Sequence, residues 1–112
     1  MEIKEVQHER FISLIPVGDL DANSSVYLDD HISRLVASQQ VQIHVDFTDV
    51  HYISSAGLGV FASHLEELSQ HGGQFVLSGM ADNIREVFLL LGLDRLDRLT
   101  IVANNQQVQE YF

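Results

Sequence analysis

The stretch from Val45 to Gly59, VDFTDVHYISSAGLG, constrains the fold more than any other part of the chain, because the hydrophobic period changes inside it. Upstream, Val41, Ile43, Val45 and Phe47 alternate with Gln42, His44 and Asp46, the period-two pattern of a strand. Downstream, Leu58, Phe61, Leu65 and Leu68 recur at helical spacing. Between them runs a polar loop, and the helix starts near Ser55. Ser54 and Ser55 therefore sit where unpaired backbone N–H groups and the positive end of a helix dipole meet. Serines at such a point commonly serve as caps. Here Ala56, Gly57 and Gly59 follow, and they leave the hydroxyls without bulky neighbours.

The same strand-to-helix alternation runs through the rest of the chain. Ile3 to Val6 and Phe11 to Val17 read as two strands joined by a hairpin at His8-Glu9-Arg10. Pro16 cannot donate to a ladder, so the second strand is expected to end there or to have an exposed edge. Gly18 to Asp21 reads as a loop into a helix capped by Asp21, Asn23 or Ser24, with Leu28, Ile32, Leu35 and Val36 on one stripe to about Ser38. Gly72-Gly73 stops the second helix. Gln74 to Ser78 is a short strand, and Ile84, Val87, Phe88 and Leu91 mark a third helix ended by Gly92. Leu99 to Ala103 closes the strands. Asn105 to Phe112 reads as a short terminal helix anchored by Val108 and Phe112. The order β-β-α-β-α-β-α-β-α implies an α/β fold: a small mixed sheet, its N-terminal hairpin strand antiparallel and the remainder mostly parallel, with about four helices. The alternation over Val41–Phe47 puts helices on one face of that strand and leaves the other at least partly wet.

Composition then narrows function. The 112 residues fit one domain, 1–112, and the absence of Cys removes disulfides, thiolate metal sites and cysteine nucleophiles. Six Lys plus Arg against sixteen Asp plus Glu give a formal charge of −10, which disfavours nucleic acid and anionic membranes and favours a basic protein surface as partner. The start lacks a signal-peptide h-region, and the longest apolar run, Val87 to Leu91, is far short of the ~20 residues that span a bilayer. The expected location is cytoplasmic, without direct membrane insertion. His44, His51, His64 and His71 have no i,i+4 pair, so they read as surface residues and no metal site or cofactor is implied. Nor does any Gly-x-Ser-x-Gly elbow, P-loop or dinucleotide loop occur, so no catalytic residue is assigned and the chain reads as a binding protein.

In parallel-strand folds, functional loops gather at the carboxyl ends of strands. Two loops qualify, Gly18 to Asn23 and Asp46 to Ala56, and if their strands are neighbours Asp21 and Ser55 share a rim. Tyr52, just before the serines, is either a partner anchor or a half-buried plug. Gly18-Asp19-Leu20-Asp21, Val45-Asp46-Phe47 and Ile53 through Gly59 together resemble the STAS domain, and more narrowly the bacterial anti-sigma factor antagonists. That resemblance implies partner switching. The unphosphorylated protein would bind an anti-sigma factor that is a serine kinase, phosphorylation would end the binding, and a metal-dependent serine phosphatase would restore it. It places the acceptor on Ser55, with Ser54 as a second candidate, and the loop aspartate on Asp21. The implied partner-binding set is Asp21, Asp46, Tyr52, Ser54, Ser55, Ala56, Gly57 and Leu58. Ser54 stands where the family often has Asp, and Ala56 where it often has Ser or Thr. A phosphoserine brings about −1.5 to −2 charges, which a helix N-terminus tolerates and which Asp21, Asp46 and Asp49, if nearby, partly oppose. The alternative is a STAS subunit of a larger assembly, such as an ABC-type lipid transport complex or a sensory scaffold, with Ser55 only a cap.

Overall fold

Residues 1–112 are described by a computed structural model in which the alternating strands form one mixed sheet. The chain runs β1 (Glu2–Gln7), β2 (Ile12–Leu20), α1 (Ser24–Ala37), β3 (Gln42–Asp46), β4 (Val50–Ile53), α2 (Ser55–Gln70), β5 (Gln74–Ser78), α3 (Asp82–Leu90), a 3-10 turn (Leu93–Arg95), β6 (Leu99–Val102) and a 3-10 segment (Asn105–Tyr111). Five strands lie in the order β1-β2-β3-β5-β6, and β4 adds to β2. Only β1 is antiparallel to its neighbour; every other pairing is parallel. No helix is long and apolar enough to cross a membrane.

Strand parity divides the sheet into two faces. Ile12, Leu14, Ile43, Val45, Phe75 and Leu77 belong to the main core with the buried stripes of α1 (Leu28, Ile32, Leu35) and α2 (Leu58, Phe61, Leu68). At its centre Phe61 meets Phe75 edge-on at 5.4 Å and Phe47 meets Phe88 edge-on at 6.0 Å, a favoured aromatic arrangement. The opposite face carries a smaller cluster of Phe11, Val76, Val102 and Val108. At the end of α2, Gly72 takes φ +72° and the Gly73 N–H reaches back to Leu68 O at 2.7 Å, the stop the glycine pair requires. A Cβ on Gly73 would also strike the Val41 carbonyl oxygen.

The structure departs from the sequence reading in five places. Gly18 to Leu20 is strand rather than loop, so β2 continues through Pro16. The reason is a change of partner: β2 pairs with β3 over Ile12–Leu14 and with β4 at Gly18 and Leu20. Pro16 falls between those two ladders, where a missing N–H removes nothing. The second departure is β4 itself, which the polar loop concealed. Third, the far face of β3 is not wet, since His44 and Asp46 are both buried there beneath the C-terminal segment. That segment is a 3-10 helix and not an α-helix. Finally, His44 and His64 are buried rather than superficial, and His64 Nε2 lies 2.7 Å from Asp29 Oδ1, linking α2 to α1. His51 and His71 are exposed, as expected.

Candidate functional site

The addition of β4 to β2 builds the rim. Leu20 pairs with Ile53, and the Ser54 N–H donates to Leu20 O at 2.9 Å. Asp21 and Ser54 are thus each one residue past the same pairing, at the carboxyl ends of two adjacent parallel strands. The rim the sequence proposed on the condition of neighbouring strands is present.

Ser54 and Ser55 occupy different positions on it. Ser54 has extended backbone geometry (φ −91°, ψ 172°) and is the N-cap of α2, its hydroxyl accepting from the Gly57 N–H at 3.3 Å and its carbonyl from the Leu58 N–H at 3.0 Å. Ser55 is the first helical residue and is exposed, as is Ala56. Capping is therefore done by one serine, and the other projects from the dipole's positive end. Gly57 is what lets α2 come this close: a Cβ there would lie 2.8 Å from Ile53 Cγ1 and 3.1 Å from Leu20 O. Tyr52 stands on β4, half exposed at 52%, as a surface aromatic and not as a plug.

Asp21 organises the neighbouring helix start. Its Oδ1 accepts from the Asn23 N–H at 3.0 Å, the Ser24 N–H at 2.9 Å and the Ser24 hydroxyl at 3.0 Å, whereas Asn23, the residue at the N-cap position, makes no side-chain cap bond. The Ser24 backbone N–H, then its hydroxyl, hold the Asp21 carboxyl below the ordinary carboxylate range. The carboxylate is exposed and ionised.

Three residues of the expected docking set face inward instead. Leu58 packs in the main core and Gly57 is buried under the close approach just described. Asp46 lies on the far face of the sheet, 7% exposed, accepting from the Thr48 N–H at 2.9 Å, the Thr48 hydroxyl and Asn105 Nδ2 at 2.8 Å. Burial alone would raise its carboxyl. The bonds from the Thr48 hydroxyl, the Asn105 amide and the Thr48 N–H outweigh that and leave it below the ordinary range. Asp46 therefore sits across the sheet from the helices and does not add its charge to the serine rim.

Sequence reasoning missed the surface beside Ser55. A groove of about 290 Å³ runs between α1 and α2, lined by Ala22, Ser25, Val26, Ala56, Gly59 and Ser63 among others. Val26 and the adjacent Tyr27 are 64% and 60% exposed. Both fall off the Leu28–Ile32–Leu35 stripe, so two apolar residues on the wrong face of an amphipathic helix were the available signal.

The fold is that of a STAS domain: the family model for the STAS domain matches residues 2–108, and the chain belongs to that family. Among curated relatives, the chain is 29% identical over 93 residues to the anti-sigma-B factor antagonist of Listeria monocytogenes, covering 83% of this chain and 81% of that one. It is 26% identical over 96 residues to the anti-sigma-B factor antagonist of Staphylococcus aureus, covering 86% and 89%. The fold is shared with a crystal structure from Thermotoga maritima (TM-score 0.90, 22% identity, 97% and 92% of the two chains). It is shared less closely, and to the same degree, with SpoIIAA in its unphosphorylated form (TM-score 0.75, 16% identity, 98% and 96%) and its phosphorylated form (0.75, 17%, 99% and 100%).

Proposed function

We propose that this STAS domain is an anti-sigma factor antagonist whose binding to an anti-sigma factor serine kinase is ended by phosphorylation of Ser55. The observation that carries the reading is the division of labour at the start of α2. Ser54 makes the cap bond, so Ser55 is left exposed at the helix N-terminus beside Asp21 and the α1–α2 groove. The names of the Listeria and Staphylococcus relatives support the antagonist role. Tyr52, Val26 and Ala56 supply apolar contact, Asp21 supplies an exposed charge, and the chain's −10 steers a basic partner toward the rim. Transfer of a phosphoryl group from ATP to the Ser55 oxygen adds charge where free N–H groups and the dipole accept it, so the fold is retained while the partner pocket is blocked. The equal likeness of this fold to both SpoIIAA forms is consistent with a block that does not refold the domain. A metal-dependent serine phosphatase resets the switch. The protein is a binding component, working in the cytoplasm, and not itself an enzyme.

Phosphosite mapping by mass spectrometry after incubation with the cognate kinase and ATP tests this directly. The expected result is phosphate on Ser55; a Ser55→Ala chain still binds the kinase but is not released by ATP, and Ser55→Asp binds poorly. Phosphate on another residue, or ATP-driven release of Ser55→Ala, overturns the assignment.

A further inference from the structure

Across the sheet from the rim, the buried polar groups form a single chain of hydrogen bonds whose direction is fixed by its last member. The ionised Asp46 can only accept, so Asn105 donates through Nδ2, and its amide oxygen is left to take the Ser78 hydroxyl proton at 2.6 Å. Ser78 has then spent its proton and accepts from His44 Nε2–H at 2.7 Å. A neutral His44 protonated on Nε2 must accept at Nδ1, from the Ser13 hydroxyl at 2.7 Å. Ser13 in turn accepts from His8 Nε2–H at 2.9 Å. The direction is His8 to Ser13 to His44 to Ser78 to Asn105 to Asp46.

That chain has room for one imidazolium. If His44 takes a proton on Nδ1, Ser13 must turn its hydroxyl toward His8 Nε2, and His8 satisfies this only while neutral. With both rings cationic, Ser13 faces two N–H donors and its own O–H has no acceptor, a costly state for a side chain 5% exposed. The same groups fasten the C-terminal segment. Asn105 holds one end of it and Val108 is buried in the middle. At the other end Phe112 stacks on Phe11 at 4.4 Å, Phe11 stacks on His8 at 4.3 Å, and Gln74 Nε2 donates to Tyr111 O. His8 is both the first link of the hydrogen-bond chain and the outer leaf of the stack.

We propose that His8, Ser13 and His44 form a proton-counting latch, in which uptake of a second proton releases the Asn105–Phe112 strap and uncovers the apolar far face of the sheet. This goes beyond the serine switch and shares no residue with it. The charged and titratable groups facing His44 are His8 from the β1–β2 turn and Asp46 from its own strand; β2 and β5 offer the hydroxyls of Ser13 and Ser78, and the strap offers the amide of Asn105. Burial holds His44 below the ordinary imidazole range, His8 adds in the same sense and Asp46 opposes. A cavity of about 220 Å³ beside the triad, lined by Val6, Phe11, Ile15 and Val108 with the polar groups, gives water a way in.

Amide hydrogen exchange followed by NMR between about pH 7.5 and pH 5.5, with intrinsic rates divided out, reads the latch. The opening equilibrium of residues 105–112 should rise below about pH 6.5, by at most about tenfold per pH unit, while the amides of α2 hold steady. Nitrogen spectra of the imidazoles should show the His44 proton on Nε2 at neutral pH. In His8→Gln the side-chain oxygen always offers Ser13 an acceptor, so strap exchange should lose the part of its pH dependence that His8 supplies and keep the weaker part that burial of His44 supplies. A strap whose protection ignores pH, a neutral His44 protonated on Nδ1, or undiminished pH dependence in His8→Gln each overturns the proposal. If His8→Gln fails to fold, the pH series and tautomer of the parent chain decide it.

Discussion

Asp21 and Asp46 both lie at the carboxyl end of a strand, both accept several hydrogen bonds, and both have carboxyls held below the ordinary range, yet they belong to regions built on opposite principles. At the rim the side-chain contacts are local: Asp21 bonds Asn23 and Ser24, and Ser54 bonds Gly57, separations of two or three residues, and only backbone bonds tie the two loops together. On the far face the contacts join distant parts of the chain, with separations of 31, 34, 27 and 59 residues along Ser13, His44, Ser78, Asn105 and Asp46. Local bonds survive, or are remade, when a partner docks or a charge is added. Long-range bonds among buried groups cannot be altered without moving strands. The side chains of the proposed switch surface therefore answer to their own turn, and those of the far face do not.

The largest test of that contrast is Asp46→Ala against Asp21→Ala. Removing the Asp46 carboxylate leaves donors of Thr48 and Asn105 unpaired in a buried setting, and chemical denaturation should register a loss of about 2–3 kcal/mol. Asp21→Ala removes only exposed, local bonds at the start of α1, so it should lower the denaturation midpoint by clearly less than Asp46→Ala does, while weakening the proposed kinase binding. Equal stability losses would erase the distinction. Acid gives an independent cut. His44 is lowered in the fold, so its contribution is present above the unfolded value of 6.5 and is lost as pH falls below it. Asp46 is also lowered, so its contribution is present above 3.8 and is lost as pH falls through the lower folded value. Stability followed against pH should fall first through the imidazole window and again under strong acid. In a His44→Gln chain the first fall should shrink.

Two glycines of α2 divide along the same line. Gly57 lies where the helix touches the strands, and Gly57→Ala forces a Cβ against Ile53 and Leu20, a cost of about 1–3 kcal/mol that also tilts the serines off the rim. Gly59, two residues on, has open space around its missing Cβ, and Gly59→Ala should gain about 0.5–1 kcal/mol from helix propensity. Thermal melts of the two variants should move in opposite directions.

The local contacts are also what the sequence made legible. The start of α2 at Ser55, the Gly72 stop and the α1 stripe each depend on residues within a turn or two of one another, and each falls where the pattern placed it. β4 went unseen because Val50-His51-Tyr52-Ile53 is buried at its ends and exposed in its middle, so neither alternation nor an apolar run marks it as a strand. Its existence is decided by β2, some thirty residues upstream, which has a vacant side after Pro16. His44 and Asp46 looked like the polar side of a half-wet strand because the segment covering them is sixty residues further along. Periodicity reports which residues share a face, and not what lies over that face.

The smallest effects separate the two serines. Ser54→Ala removes the cap bond to Gly57 and should cost about 1 kcal/mol, whereas Ser55→Ala touches no cap and should stay within about 0.5 kcal/mol of the parent. Under the proposed switch, phosphorylation separates them in the opposite order: Ser55→Ala should abolish it, and Ser54→Ala should leave Ser55 a substrate on a slightly frayed helix. A stability loss and a phosphorylation loss falling on the same serine would mean that cap and acceptor are one residue. The added phosphate would then have to break the helix start in order to form. Falling on different serines, they let the helix keep its cap through every cycle, so the charge at Ser55 changes what the rim can bind while α2 stays docked through Gly57.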